Sequence, residues 1–410
     1  MINNGDTAWL ITSSALVLLM TPGVAFFYSG LVSTRNVINT INMSFICLAV
    51  IPLTWALLGF SLSFSVGNSF IGGLQWAGLK DISINTMNDA SNIPQYSYMM
   101  FQMMFAVITP ALISGAIVGR MKFKAYVLFI ILWNLLIYTP IAHWVWGPNG
   151  WIAALGAIDF AGGTVVHISS GFAALVAAII LGPRLTNNTA RHDTPHNIPF
   201  VILGSSLLWF GWYGFNAGSA LAANGLASLA FVTTTLSASA SIFTWTILCW
   251  LRGHPSSAIG KACSAVIGLV AITPAAGYVT PMGAIIIGCV GAIVCYFAMA
   301  YRNKLLRNID DTLDVFICHG IGGVTGAMMT GLLATKTVNP VGADGFFYGN
   351  SSLLVKQLIA VSATILMTVV GTAIILCFLK TIMSIRPTPE EESKGIDIAE
   401  HGEKAYERLT

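Results

Sequence analysis

Two histidines lie in the middle of long apolar stretches, His167 in Gly163-Thr-Val-Val-His-Ile-Ser-Ser-Gly171 and His319 in Asp314-Val-Phe-Ile-Cys-His-Gly-Ile-Gly323. Each is followed four positions on by a glycine, Gly171 or Gly323, which shares its helix face. That leaves room beside the ring for another helix or a solute. Two neutral imidazoles can share one proton between facing nitrogens, one as donor and one as acceptor. Charging both would set like charges together in low dielectric, which is disfavoured. Such a pair suits a proton relay, or a pore lined by one donor and one acceptor. Metal or haem ligation is the competing chemistry, but no other ligand cluster accompanies the pair. A single buried histidine is ordinarily just a hydrogen-bonded core residue. Ionisable groups inside membrane helices are costly and mark function by default, and Asp159 joins the two histidines on that ground. His143 stands near the outer end of an apolar stretch. His192, His196, His254 and His401 fall in loops or the tail.

Aromatic residues form a second constellation. Phe101 and Phe105 share one helix face, as do Trp212, Phe215 and Ser219. The run His143-Trp-Val-Trp146-Gly closes an apolar stretch. For Trp144 and Trp146 the ordinary explanation is the aromatic belt of a membrane interface. The functional one is a cation site. A tryptophan face attracts a desolvated cation by about 0.5–2 kcal/mol, and Ser219 could accept one hydrogen bond from it.

The elements that must position these residues follow from composition. The 410 residues are 56% hydrophobic and 9% charged, with a mean hydropathy of +0.78. A soluble domain carries about a quarter charged residues, so lipid is the expected solvent. A net charge of +3 is too small to suggest nucleic acid. The cysteines form no CxxC pair and lie mostly in apolar stretches, as buried structural thiols do. No metal site, cofactor or enzymatic activity is expected.

The fold class is an all-α polytopic membrane protein. A spanning helix needs about 20 mostly apolar residues. Eleven candidates lie near 8–32, 41–64, 95–119, 125–146, 162–182, 198–222, 227–251, 257–275, 281–300, 313–334 and 353–384. Alternate loops on one side collect Arg35, Arg120, Lys122, Lys124, Arg184, Arg191, Arg252, Lys261, Arg302, Lys304 and Arg307. The other side holds Lys80, Lys336 and Lys356. The basic side faces the cytoplasm, which puts the N-terminus outside and the C-terminus inside. No Lys or Arg precedes Arg35, so no cleavable secretory signal is expected.

Gly23-Val-Ala-Phe-Phe-Tyr-Ser-Gly30 in the first span echoes Gly211-Trp-Tyr-Gly-Phe-Asn-Ala-Gly218 in the sixth. Spans five apart run in opposite directions, so the echo suggests an inverted 5+5 repeat with a C-terminal helix added, a transporter signature. Glycine-rich runs such as Gly320–Gly326 serve close helix packing. Every glutamate of the chain lies in Glu390–Glu407. The expected domains are therefore a transmembrane unit, 1–385, and a cytoplasmic tail, 386–410. The tail is either a frayed terminus or, given the mixed apolar, acidic and glycine pattern of Gly395–Glu403, a docking segment.

These residues in this order resemble the ammonium transporter family, the ammonium/methylammonium permeases related to the Rhesus glycoproteins. Asp159–Gly171 looks like its signature, Gly211–Ser219 its second segment, Asp310–Gly320 its third, and Gly395–Tyr406 its regulatory tail. The resemblance covers nearly the whole chain. It implies ammonium or ammonia as substrate, a homotrimer in the cell membrane with one pore in each subunit, and closure from the cytoplasm by a PII signalling protein. It implies an outer ammonium site at Trp146, Phe105 and Ser219, with Asp159 supporting it and assisting deprotonation. It makes Phe105 and Phe215 a stacked gate. His167 and His319 become the pore-lining pair, with Trp212, Tyr138, Phe101 and Phe27 beside them. Retention of both histidines argues against the fungal variants that replace the first. A Rhesus-type channel for neutral gas, an ammonium sensor on the same pore, and a histidine-ligated haem protein or membrane enzyme are the alternatives.

Overall fold

The computed structural model describes residues 1–89, 91–185, 194–306 and 309–406. Arg191, His192, Arg307 and Glu407 lie outside them. Among the described residues, ten helices are long and apolar enough to cross a membrane: α1 Asn4–Leu31, α2 Val37–Phe64, α3 Gln95–Ala116, α4 Phe123–Leu155, α5 Gly163–Leu181, α6 Ile198–Ala217, α7 Gly225–Leu251, α9 Pro281–Ala300, α10 Phe316–Leu333 and α11 Ser351–Ile382. The remaining expected span is a shorter apolar helix, α8, Ala258–Ile272. It stops at Thr273-Pro274, where Pro274 has no N–H with which to continue the hydrogen-bond ladder.

Helices are imposed here by the solvent, since a chain crossing lipid must satisfy its own backbone polar groups. Where they begin is set by polar residues just before the apolar runs. The side chains of Asn3, Asn197, Asn224, Ser257, Thr280 and Asn350 each accept from a backbone N–H in the first turn of the helix that follows.

α1 and α6 pack along their length. Gly23 meets Leu208, Gly204 meets Phe27, Gly211 meets Met20 and Gly214 meets Ser13. Numbers rise on one helix as they fall on the other, so the two run antiparallel. The approach is close enough that a Cβ at Gly204 would lie 2.2 Å from the backbone nitrogen of Phe27, which is how small residues bring helices together in lipid. The two stretches that echo each other in sequence are thus the two halves of one contact.

Several spans contain a widened π turn: Trp55–Gly59, Asn134–Tyr138, Gly163–Ile168, Tyr213–Ala217 and Phe316–Ile321. π turns favour functional sites, and those in α5 and α10 carry the two histidines.

After α11 the chain forms a short helix, α12, Pro389–Lys394, closed by a capping box between Thr388 and Glu391. It then docks against the membrane unit. The Asp397 carboxylate accepts from the backbone N–H of Ile38 and Asn39 at the start of α2. Glu400 accepts from Phe123 N–H at the start of α4. Glu392 accepts from Arg386 and from Leu185 N–H. Carboxylates at helix N-termini satisfy orphan donors and complement the helix dipole. The tail through Tyr406 is a docked segment, not a frayed end.

Candidate functional site

The site is built on the starts of α5 and α10. Before α5, Gly162 takes a left-handed backbone (φ 106°), a conformation open to glycine. It folds the chain over Asp159. One carboxylate oxygen accepts from Gly162 and Gly163 N–H at 2.8 and 2.7 Å. The other accepts from Thr164 N–H at 2.7 Å and from the Thr164 hydroxyl. The helix then opens on a π turn that carries His167. α10 repeats the device. Asp311 accepts from Val315 N–H at 3.1 Å and Phe316 N–H at 2.7 Å, and the π turn that follows carries His319. The interval from Asp159 to His167 equals that from Asp311 to His319. Asp311 was not singled out from the sequence; that repeated interval was the signal for it.

The histidine helices cross where the spaced glycines predicted room. A Cβ at Gly171 would lie 2.1 Å from the Gly320 backbone nitrogen, and Gly323 abuts His167 and Gly163. The room beside each ring is therefore filled by the partner helix. Both rings are buried. Their Nδ1 atoms lie 3.2 Å apart, with ring centres 5.3 Å apart and planes 21° from parallel. The two nitrogens thus lie between the ring centres and face each other. His167 Nε2 is buried and has no hydrogen-bond partner among the described residues.

Above the pair runs a continuous aromatic column. Trp212 lies nearly parallel to His167, at 5.3 Å and 17°. Phe215 follows at 5.9 Å from the His167 ring. Phe105 stacks on Phe215 at 4.1 Å, and Trp146 meets the far side of Phe105 edge-on at 5.9 Å. Phe101 abuts Phe105 at 4.9 Å. Trp146 is oriented by its indole N–H, which donates to the Asp159 carbonyl at 2.9 Å. Asp159 thereby serves the top of the column through its carbonyl and the histidine helix through its carboxylate. The Ser219 hydroxyl donates to the Phe215 carbonyl, leaving its lone pairs to accept.

A narrow cavity lies against both histidines. Phe27, Trp212 and Phe215 line it, as do Met20, Val24, Tyr28, Ile108, Leu112, Val166, Leu208 and Val266. Most of these side chains are apolar. The Tyr28 hydroxyl is spent on the Leu112 carbonyl and the Trp212 N–H on Thr273. Tyr28 escaped the sequence reading although it adjoins Phe27 within the Gly23–Gly30 echo. Two expected lining residues are not part of this wall: Phe101 abuts Phe105 in the column, and Tyr138 packs against Trp55 at 6.1 Å. Tyr138 closes the π turn of α4. Trp144 also serves packing, against Phe70 and Trp151. His143 straps the end of α2 and the loop after it, its two ring nitrogens on the carbonyls of Ser63 and Asn68.

The centre is thus a facing pair of ring nitrogens against a narrow, mostly apolar cavity, below a column of stacked aromatics. The family model described as Ammonium Transporter Family matches residues 8–406. The chain belongs to the ammonium transporter family. It is 49% identical to an ammonium transporter of Bacillus subtilis over 98% of each chain. Its fold matches the crystal structure of Saccharomyces cerevisiae Mep2 with a TM-score of 0.90, at 35% identity, covering 100% of this chain and 93% of that one. A solved sensor Amt protein matches with a TM-score of 0.89, at 30% identity, over 97% and 98% of the two chains. The protein is a multi-pass transporter of ammonium in the cell membrane, and not an enzyme.

Proposed function

We propose that the transporter recruits ammonium at Trp146, Phe105 and Ser219, removes its proton, and passes ammonia between Phe105 and Phe215 to the His167–His319 pair, where the proton travels separately. The observation that carries this reading is the unpartnered His167 Nε2 in an otherwise apolar cavity at the foot of the aromatic column. Moving an intact ion into such a space costs on the order of tens of kcal/mol, and the escape is loss of charge. Ammonium can lose a proton. Potassium, of similar size and equal charge, cannot. Selection is then by chemistry and not by fit. Asp159 holds Trp146 and α5 in place; with its carboxylate taken by four donors, it aids deprotonation through position. If the proton follows the ammonia, one charge crosses per cycle, worth about 2.3 kcal/mol per 100 mV.

The same reading takes 1–385 as the transport unit and 386–410 as its regulatory tail, in a homotrimer closed from the cytoplasm by PII. Tail carboxylates seated on the starts of α2 and α4 support it. The antiparallel α1–α6 contact and the matching Asp159 and Asp311 devices support an inverted 5+5 arrangement with the N-terminus outside. Greater identity to a transporter than to the sensor favours transport over sensing. The test is an ammonium jump on solid-supported membranes bearing the reconstituted protein. The reading predicts a saturable current that an equal potassium jump does not evoke. A potassium current of similar size, or none with ammonium, contradicts it.

A further inference from the structure

The shortest span, α8, ends at Thr273-Pro274, and both of these residues hold the histidine centre from outside it. The Pro274 carbonyl accepts from Phe160 N–H at 3.1 Å. Gly163, the first residue of α5, sits so tightly on the Pro274 ring that a Cβ there would lie 2.6 Å from the Pro274 Cβ. One position earlier, the Thr273 hydroxyl oxygen accepts from the Trp212 indole N–H at 2.9 Å. The same hydroxyl donates its hydrogen to the Leu269 carbonyl at 2.8 Å. Thr273 and Trp212 are both buried. A broken membrane helix with polar groups turned to the pathway is where transporters build sites.

We propose that Thr273 is a positioning residue for transport, fixing Trp212 against His167 and keeping the indole N–H out of the pore, while Pro274 fixes the start of the helix that carries His167. With its hydrogen committed to Leu269, the Thr273 oxygen can only accept, so the sense of the Trp212 contact is fixed. A buried N–H deprived of its acceptor seeks another. His167 lines the cavity and its Nε2 has no partner among the described residues; when His167 donates from Nδ1 to His319, that Nε2 carries the lone pair that ammonia, or a freed N–H, would seek. Loss of the Thr273 hydroxyl therefore frees Trp212 to tilt from its near-parallel seat and to compete for that atom. The outer site at Trp146 is untouched, so the defect falls on throughput and not on recruitment.

The inference rests on the reading of His167 and His319 as the pore pair, and the experiment separates the two. Full-length protein is reconstituted, and ammonium-evoked currents are normalised to folded protein for Thr273→Val, Thr273→Ser, Trp212→Leu, the Thr273→Val/Trp212→Leu double variant and a variant with both histidines made apolar. Thr273→Val is expected to lower the maximal current about ten-fold, as loss of a buried hydrogen bond does, with half-saturation unchanged. Thr273→Ser restores it. In the double variant Thr273→Val adds nothing to Trp212→Leu, since residues acting through one another are not additive. Wild-type current from Thr273→Val overturns the inference, as does a loss that multiplies in full with that of Trp212→Leu. If Thr273→Val does not assemble, Thr273→Ala takes its place. If neither assembles while Thr273→Ser does, the hydroxyl serves the fold alone and the inference falls. A wild-type current from the double-histidine variant would instead remove the pore reading itself.

Discussion

The Nδ1 atoms of His167 and His319 face each other at 3.2 Å, so one of the two must carry the proton that lies between them and the other must accept it. Each imidazole satisfies the other's Nδ1, an atom that would cost about 1–3 kcal/mol if buried unpaired. Replacing His167 alone by an apolar residue strands His319. Replacing it by glutamate restores a proton-sharing pair with a fixed acid. His167→Glu is expected to keep an ammonium current and to admit potassium beside it. Competition currents with potassium check this, and strict ammonium selectivity in that variant would speak against the pair as the selecting element.

Trp146→Leu removes the aromatic face at the outer end of the column, together with the hydrogen bond to the Asp159 carbonyl. A cation–π contribution of about 0.5–2 kcal/mol corresponds to a rise in half-saturation of roughly two- to thirty-fold. The maximal current and the yield of assembled protein should change less. Half-saturation equal to wild type in assembled protein would show that Trp146 is not the recruiting face.

Deleting the chain from Gly395 onward removes the carboxylates seated on α2 and α4 but leaves every span intact. The truncated protein is expected to fold, with altered transport or lost PII control. Asp397→Ala, which strips only the cap of α2, should reproduce part of that effect. Equal transport and equal inhibition by PII before and after truncation would rule out a regulatory tail.

Asp310 organises the end of the bundle from which α10 starts. Its side chain pairs with Arg184 at 2.8 Å and lies 3.9 Å from the buried Arg120. Burial works to raise its pKa, but the hydrogen bonds and charge of Arg184, together with Arg120, outweigh it and hold the carboxyl below its usual range. A depressed carboxylate contributes stability that is present above its unfolded pKa, and that is lost as pH falls through the lower folded value. Wild type should therefore lose stability on acidification below about pH 4. Asp310→Asn takes the nearest counter-charge from the buried Arg120 and should cost about 3 kcal/mol at neutral pH, with that part of the acid dependence gone. Thermal unfolding in detergent across pH reads both effects; an unchanged midpoint for Asp310→Asn would show the network to be idle.

Much of this was legible in the sequence because lipid permits few solutions. Apolar length marks the spans, and scarcity marks His167, His319 and Asp159. What the sequence hid depends on tertiary packing. The resemblance implies Tyr138 as a pore-lining residue, but the structure sets it against Trp55, a neighbour distant in sequence that no local pattern names. The early end of α8 was written in Thr273-Pro274, yet an apolar run through residue 275 masked it. Gly171 and Gly323 signalled space, and only the fold could say that a helix fills it. The role of Asp159 as a cap for α5 needed the left-handed turn at Gly162 to be seen.

If the histidine pair carries the proton while ammonia crosses beside it, selective current requires both rings. The most direct measurement is the ammonium-evoked current of a variant with His167 and His319 both replaced by apolar residues, in liposomes, with potassium as the competing ion. Removing both leaves no stranded imidazole, so the bundle should assemble. The pore becomes apolar throughout, ammonia can still diffuse, and a proton has no path beside it. The selective current is expected to disappear in folded protein. A wild-type current with wild-type selectivity would show that the histidines are structural and that the proton travels elsewhere.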